Sequence, residues 1–471
     1  MDGNQQRVPT RTVLGYGIGQ LGAQIFRDTP AVLLPIFMTT MLGIPAWLAG
    51  IAILVPKLWV IICDPMVGVY SDRLKERRGR TPFLLVGAVL TSLGFLSLFL
   101  VTDYGAPGIA AAVICLLFFL ASTGFSLFSV PYLAIASELS PDRHERTRIL
   151  AYRMVATIGG VVIGVGVAQP LVFALGGGAR GWHTMAISFS LICLATMLIP
   201  AIVLRRVPLL RGAQTPAHFR DQLGPVFRNR PYAVLLATTF VQGIGQASGY
   251  TVLGFFFLYA LASVELIPAF IFSMMLGSLL SQPLFVTLSR RFGKERTYVM
   301  GSVLWTLVTI SWYFVEQGGP ALLTLPVIGD VTGQQLLVLC RGFFIGIVNT
   351  GFLLLSFSML TDTIDYQRRK HGVAHEGVFS GIFSAAEKLA FAVGPLVAGL
   401  VMSAFGFRES TGGLIEQGSD AVLGIILLYS FIPAGTQVLS LLIFSRYRLD
   451  PSELEDRPTG VQPVTSLTPA G

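Results

Sequence analysis

Asp64 lies inside an otherwise apolar stretch, 47–70, with Lys57 and the run LWVIIC before it and Pro65 and MVGVY after it. A charge at membrane depth costs roughly 2.5–3.5 kcal/mol on insertion scales, so such a carboxylate serves a ligand, a proton or a cationic partner. The cations Arg153, Arg341 and Lys388 need a partner for the same reason, and Asp64 is the natural candidate, because Asp28 and Glu387 are the other acids at that depth. Lys57 precedes Asp64 by seven residues, about 10.5 Å of helical rise, which is too far for direct pairing. Asp64 therefore reads either as one end of a fixed salt bridge or as a group that takes up a proton or cation during a working cycle. Sodium wants several hard oxygen ligands, and Val60 and Cys63 supply none. A carboxylate among apolar neighbours favours its neutral form, so a proton is expected in preference to sodium, with no coupling as the third option. No cofactor is expected beyond such an H+ or Na+.

Other polar side chains fall into stripes at helical spacing. Gln20, Gln24, Arg27 and Asp28 share one face of a first helix, and Ser122, Ser126 and Ser129 share one face of a fourth. Gln242, Gln246 and Tyr250 form a third stripe, and Ser380, Ser384 and Glu387-Lys388 a fourth. Four such stripes, two per half of the chain, suit a central aqueous cavity, since polar side chains inside a membrane face a cavity or another helix. Amides and hydroxyls offer donors and acceptors to a polyhydroxylated ligand. The plainer readings are close helix packing for the serines and interhelical hydrogen bonds for the glutamines.

The elements that position these residues are membrane helices. Hydrophobic residues make up 53% of the 471-residue chain and charged ones 12%, far from a soluble domain's usual quarter. Twelve apolar segments are long enough to cross hydrocarbon: about 12–42, 47–70, 82–102, 108–137, 149–175, 183–204, 232–260, 266–289, 297–315, 333–361, 377–405 and 421–445. The first is too long for a cleaved signal segment. With the N-terminus in the cytoplasm, 26 of the 33 Lys and Arg fall on cytoplasmic segments, so both termini are expected inside. The net charge of +8 then reflects topology and not nucleic-acid binding. The expectation is an all-α, multi-pass protein of the bacterial inner membrane, monomeric, with a small-molecule substrate. Cys63, Cys115, Cys193 and Cys340 lie in spans without ligand-type spacing and read as small apolar packing residues. The histidines sit in loops or at span edges, so no metal site is expected.

The basic loop 205–231 divides the spans into halves 1–204 and 232–445, and the polar tail 446–471 is expected to be disordered. Asp64-Pro65, Ser71 and Arg73 align at a constant offset of 218 with Gln282-Pro283, Ser289 and Arg291, and Arg78 falls on Arg296. Parallel six-helix repeats with a binding site between the halves are the arrangement of the major facilitator fold.

The run from Gly68 through Ser71-Asp72-Arg73 to Gly79-Arg80 resembles the signature loop between helices 2 and 3 of major facilitator proteins. A joint pattern is more specific. Lys57 and Asp64-Pro65 are followed by Val130-Pro131-Tyr132, Glu138, Arg146 and Ala151-Tyr152-Arg153. Asp362, Asp365-Tyr366, His371-Gly372, Glu376-Gly377, Ser384 and Glu387-Lys388 complete it. This set resembles the glycoside–pentoside–hexuronide:cation symporter family, which contains the melibiose permeases. The resemblance implies that Asp64 and Lys57 match residues of the family's helix-2 cation site and that Arg153 and Lys388 link the sugar and cation sites; with the serine stripe, the expected cation-coupling group is Asp64, Lys388, Lys57 and Ser126. Taken with the polar stripes, the expected substrate site is drawn from Gln20, Gln24, Asp28, Ser129, Tyr132, Arg153, Gln242, Gln246, Tyr250 and Lys388.

Asp72, Arg73, Arg78, Arg80, Glu138, Asp142 and Arg146 would form a cytoplasmic gate of ion pairs across helix ends, with Asp362 and Asp365 in the repeat-related role. The alternative for these charges is plain solvation, with little energetic weight. The chain departs from the pattern at Val60, where sodium-coupled members carry a second carboxylate. It departs again at Gln24, Ser129 and Leu133, where sugar-binding members carry acidic or aromatic residues. The expected function is alternating-access symport of a glycoside or other small polar solute. The alternatives are a transporter or flippase of an amphiphile such as a lysolipid and, less favoured, a membrane enzyme or receptor.

Overall fold

A computed structural model describes residues 8–140, 142–207, 229–316, 321–325, 329–371 and 376–449. Most of the central loop and of the tail lies outside these residues. Hydrocarbon offers backbone groups no water, so each apolar segment must satisfy its own N–H and C=O groups, and the chain folds as long helices. In the first half these are α1 (Thr10–Gly17), α2 (Gly19–Thr40), α3 (Ala46–Arg78), α4 (Thr81–Leu100), α5 (Pro107–Glu138), α6 (Arg143–Val161), α7 (Ala168–Ala174) and α8 (Ala179–Val203). A π-helical stretch, Val162–Val167, joins α6 to α7. The second half contains α9 (Arg230–Phe255), α10 (Ile267–Phe292), α11 (Lys294–Ile310), α12 (Gly333–His371), α13 (Glu376–Ala404), α14 (Ser419–Tyr429) and α15 (Phe431–Phe444).

Nine helical segments among the described residues are long and apolar enough to cross a membrane. Three other expected spans are helical but read more weakly, for visible reasons. The first carries Arg27 and Asp28 and is interrupted at Ile18. The seventh, α9, is diluted by Gln242, Gln246 and several glycines. The ninth, α11, has 17 residues before it tightens into the turn Ser311–Phe314. One connection differs from an all-helical chain. Ala321–Leu325 (β1) and Gly329–Thr332 (β2) pair as an antiparallel hairpin between α11 and α12.

Each half uses small residues for close helix contact. On α4 and α5, a Cβ added at Gly87 would meet the Cα of Phe128 at 2.8 Å, and one at Gly124 would meet the Cβ of Leu90 at 2.7 Å. Gly277 and Gly346 do the same for α10 and α12, facing the backbones of Phe343 and Met274. The halves meet most extensively where α3 packs on α13, α2 on α9, and the π stretch on α10.

The two ends of the bundle differ. One, the basic face, carries 71–80, 139–140, 142–147 and 290–296. At the opposite, distal face, Ala46 N–H donates to Glu409 Oε1 at 3.1 Å and Trp47 N–H to Ser403 Oγ at 3.1 Å. Ser410 N–H reaches Thr39 O at 2.9 Å, and Gln169 Nε2 donates to Gly254 O at 2.9 Å. Pro35, Ile53, Thr251, Phe255, Pro395 and Ala398 pack just inside these bonds as a nearly closed apolar layer.

Candidate substrate and coupling site

Pro65 has no N–H to donate and interrupts the hydrogen-bond ladder of α3 immediately after Asp64. Asp64 Oδ2 accepts from Lys388 Nζ of α13 at 2.5 Å, an ion pair that joins the two halves. Asp64 Oδ1 is buried and has no hydrogen-bond partner, and Ser126 Oγ on α5 is in the same condition. Cys63 stands within hydrogen-bonding reach of Ser126. Asp64 is thus not solitary: it is engaged through one oxygen and open at the other.

Arg153 takes a different partner from the one its sequence suggests. Its Nε donates to Gln20 Oε1 at 2.9 Å, and its guanidinium lies 5.6 Å from the centre of the Tyr132 ring, a cation–π contact. Gln20 Nε2 donates to Gln24 Oε1 at 3.2 Å, and Gln24 Nε2 donates to Asp28 Oδ2 at 2.7 Å. The stripe on α2 is therefore a polarised ladder from a cation to a carboxylate. Tyr132 is buried, stacked on Tyr16 at 4.5 Å, and its hydroxyl donates to Tyr16 O at 2.7 Å. It positions Arg153 and is shielded from direct contact with a ligand. Gln242 is likewise occupied, accepting from the Tyr298 hydroxyl at 2.5 Å, whereas Gln246 and Tyr250 stay half-buried. Ser129 is half-buried and Ser122 buried.

Lys57 Nζ donates to Phe391 O on α13 at 3.1 Å, a second bond between the halves one turn from the apolar layer. Arg341 also lacks the carboxylate expected for it. Its Nε donates to Ser311 Oγ at 3.0 Å, and its guanidinium lies 5.0 Å from the Trp312 ring centre.

At the basic face Arg80 is 4% exposed and organises one cluster. Its Nε and Nη2 donate to Glu138 at 3.0 and 2.9 Å, Nη1 to Ser71 Oγ at 2.8 Å, and Nη2 to Asp72 at 2.5 Å. Burial works against this charge, but hydrogen bonds and the negative charges of Glu138 and Asp72 outweigh it and raise the guanidinium pKa above its ordinary value. In the second half Lys294 Nζ donates to Asp362 Oδ2 at 2.6 Å. Both described clusters lie within one half. They tie neighbouring helix ends of a repeat together by ion pairs.

Arg146 is turned to Ser140 O at 2.7 Å, and Asp142 N–H donates to Ser140 Oγ at 3.2 Å. Arg73 is exposed, Asp365 sits on α12, and the Arg78 side chain lies outside the described residues. Sequence reasoning missed Lys294. Its signal was available, because Gly79-Arg80 and Gly293-Lys294 both place a glycine with positive φ, 70° and 84°, before the basic residue that opens a helix.

The family described as MFS/sugar transport protein matches residues 15–451. The chain belongs to this family. It is 25% identical to the isoprimeverose transporter of Lactiplantibacillus pentosus, over 96% of this chain and 92% of that one. It is 24% identical to a putative sulfoquinovose importer of Salmonella typhimurium, over 93% and 89%. An inner membrane symporter of Escherichia coli, YicJ, is 23% identical over 92% and 90%. Among solved structures, the nucleoside transporter NupG superposes with a TM-score of 0.63 at 12% identity, covering 94% of this chain and all (100%) of that one. The fold is that of major facilitator transporters. The protein is a multi-pass plasma-membrane secondary transporter of small solutes and not an enzyme, in keeping with the motifs that resembled the glycoside–pentoside–hexuronide:cation symporters.

Proposed function

We propose that the transporter is a proton-coupled symporter of a glycoside or other small polar organic solute, with twelve crossings and both termini in the cytoplasm. The basic face is then cytoplasmic and the distal face external. The observation that carries the reading is the Asp64–Lys388 pair, with its vacant second oxygen. A proton delivered to Asp64 Oδ1 removes the carboxylate charge, frees Lys388, and cuts the link between the halves at mid-membrane. Loss of that proton restores the pair. Movement of the halves is thereby tied to protonation, which is what alternating access needs.

Sodium is the weaker candidate, because Asp64 Oδ1 and Ser126 Oγ are two oxygens where a hard cation needs more. The solute would lie along Gln20, Gln24, Ser129, Arg153, Gln246 and Lys388, whose donors and acceptors suit hydroxyls. The names of the relatives, which carry sugar-like solutes, support this reading over an amphiphile. The test is uptake into proteoliposomes under an imposed pH gradient without sodium. Accumulation driven by external acid is expected; uptake that needs sodium and ignores pH would overturn proton coupling.

A further inference from the structure

α1 and α6 lie side by side at the basic face, and a groove opens between them on the side away from the polar ladder. Gln20 and Arg153 meet on one side of this contact. Leu21 and Tyr152, each one residue away, stand about 100° round their helices on the other. Ile18 keeps helical angles, so Thr10, Leu14, Ile18 and Leu21 form one stripe across α1 and α2. Glu145, Arg148, Tyr152, Val155 and Gly159 form the facing stripe on α6. The stripes converge inward, where a Cβ added at Gly159 would meet Leu21 Cδ1 at 3.5 Å. Towards the basic face they part, and Val8, Pro9, Thr10, Glu145, Arg148 and Tyr152 line a cavity of about 500 Å³.

The groove changes character along its length. Its mouth is charged: Arg148 Nη2 donates to Thr10 Oγ1 at 2.9 Å and Nη1 to Glu145 Oε2 at 3.0 Å, so a cation and a carboxylate stand together at the first residue of α1. Its inner part is apolar and open, with Leu14 51% and Val155 69% exposed. Tyr152, exposed between the two, is a residue type enriched at membrane–water interfaces. A mouth of balanced charge leading into an apolar channel matches an amphiphile with a zwitterionic head. A soluble ion would leave the channel unused, and a purely anionic head would meet Glu145. A guanidinium beside a helix N-terminus suits a phosphodiester, and a carboxylate suits an ammonium that donates hydrogen bonds. We infer that this groove holds a phospholipid with a primary-amine headgroup, drawn from the leaflet at the basic face and separate from the transported solute. Its phosphate rests on Arg148 and Thr10, its ammonium on Glu145, and an acyl chain lies along Leu14 and Val155.

The experiment is native mass spectrometry of the full-length protein in detergent with equimolar phosphatidylethanolamine, phosphatidylcholine and phosphatidylglycerol of the same acyl chains. The wild type is expected to retain one phosphatidylethanolamine at least about tenfold more than either competitor, or about 1.4 kcal/mol. Glu145→Gln should turn that preference towards phosphatidylglycerol, and Arg148→Gln should lose the retained copy. Val155→Trp, which fills the channel and leaves the charged mouth intact, should lose it too. Free phosphoethanolamine in excess should not displace the lipid. Equal retention of the three lipids by the wild type overturns the site, as does a preference unchanged in Glu145→Gln, Arg148→Gln or Val155→Trp. Displacement by phosphoethanolamine overturns the lipid in favour of a soluble phosphate ester.

Discussion

The distal and basic halves of the α3–α13 contact are built differently. Distally, a Cβ added at Gly50 would meet Leu396 Cα and Pro395 O at 2.8 Å, and one at Gly399 would run into the backbone of Ala46. Past the Asp64–Lys388 pair, a Cβ at Gly68 would meet only Val130 Cγ1, at 3.7 Å, on its own half, and one at Gly381 would meet nothing within 4 Å. The same two helices are pressed together on one side of an ion pair and separated on the other. Interdigitated backbone holds the closed side, and a titratable bond marks the point of divergence. A seal made of shape opens only when the helices move as bodies, whereas a bond made of charge can be released by one proton.

Filling the closed side should have the largest effect. Gly399→Val has no room against Ala46 and is expected to abolish transport and lower thermal stability in detergent, while Gly381→Val leaves both near wild type. Equal tolerance of the two would mean that the distal contact is not the seal. Next in size is Glu138→Ala at the basic face. It removes two of the hydrogen bonds to buried Arg80, which keeps Asp72 and Ser71, and should cost about 1.5–3 kcal/mol, read as a lower melting temperature; an unchanged melting temperature would return that cluster to solvated surface charge. At the boundary, Asp64→Asn should reduce gradient-driven uptake by at least about a hundredfold, near 2.7 kcal/mol, while counterflow persists. Wild-type accumulation in that variant would remove Asp64 from coupling. The smallest change is Ser403→Ala, which removes the acceptor for Trp47 N–H and should cost about 0.5–1.5 kcal/mol. It should raise the reactivity of a cysteine placed at Ala49 towards an impermeant thiol reagent only modestly.

Much of the frame was legible in the chain. The long apolar runs predicted helices where helices are found, because hydrocarbon leaves the backbone no other option. The spacing of Gln20, Gln24 and Asp28 predicted a stripe, and the structure joins those three side chains in a ladder. Pairing was not legible. Arg153 and Lys388 were equal claimants to Asp64, and what separated them was the placement of α13 against α3, a contact between residues 324 positions apart. Tyr132 and Gln242 looked equally free to bind a ligand until Tyr16 and Tyr298 were found holding them.

The sequence by itself determined the class, the helical segments, the family and the identity of the ionisable residues inside the membrane, since composition and 3.6-residue periodicity are local properties. Only the tertiary structure decided which charge meets which. The physical reason is that a charge's energy depends on everything within a few ångströms of it. Around Asp64 and Arg153 those neighbours come from helices distant in the chain.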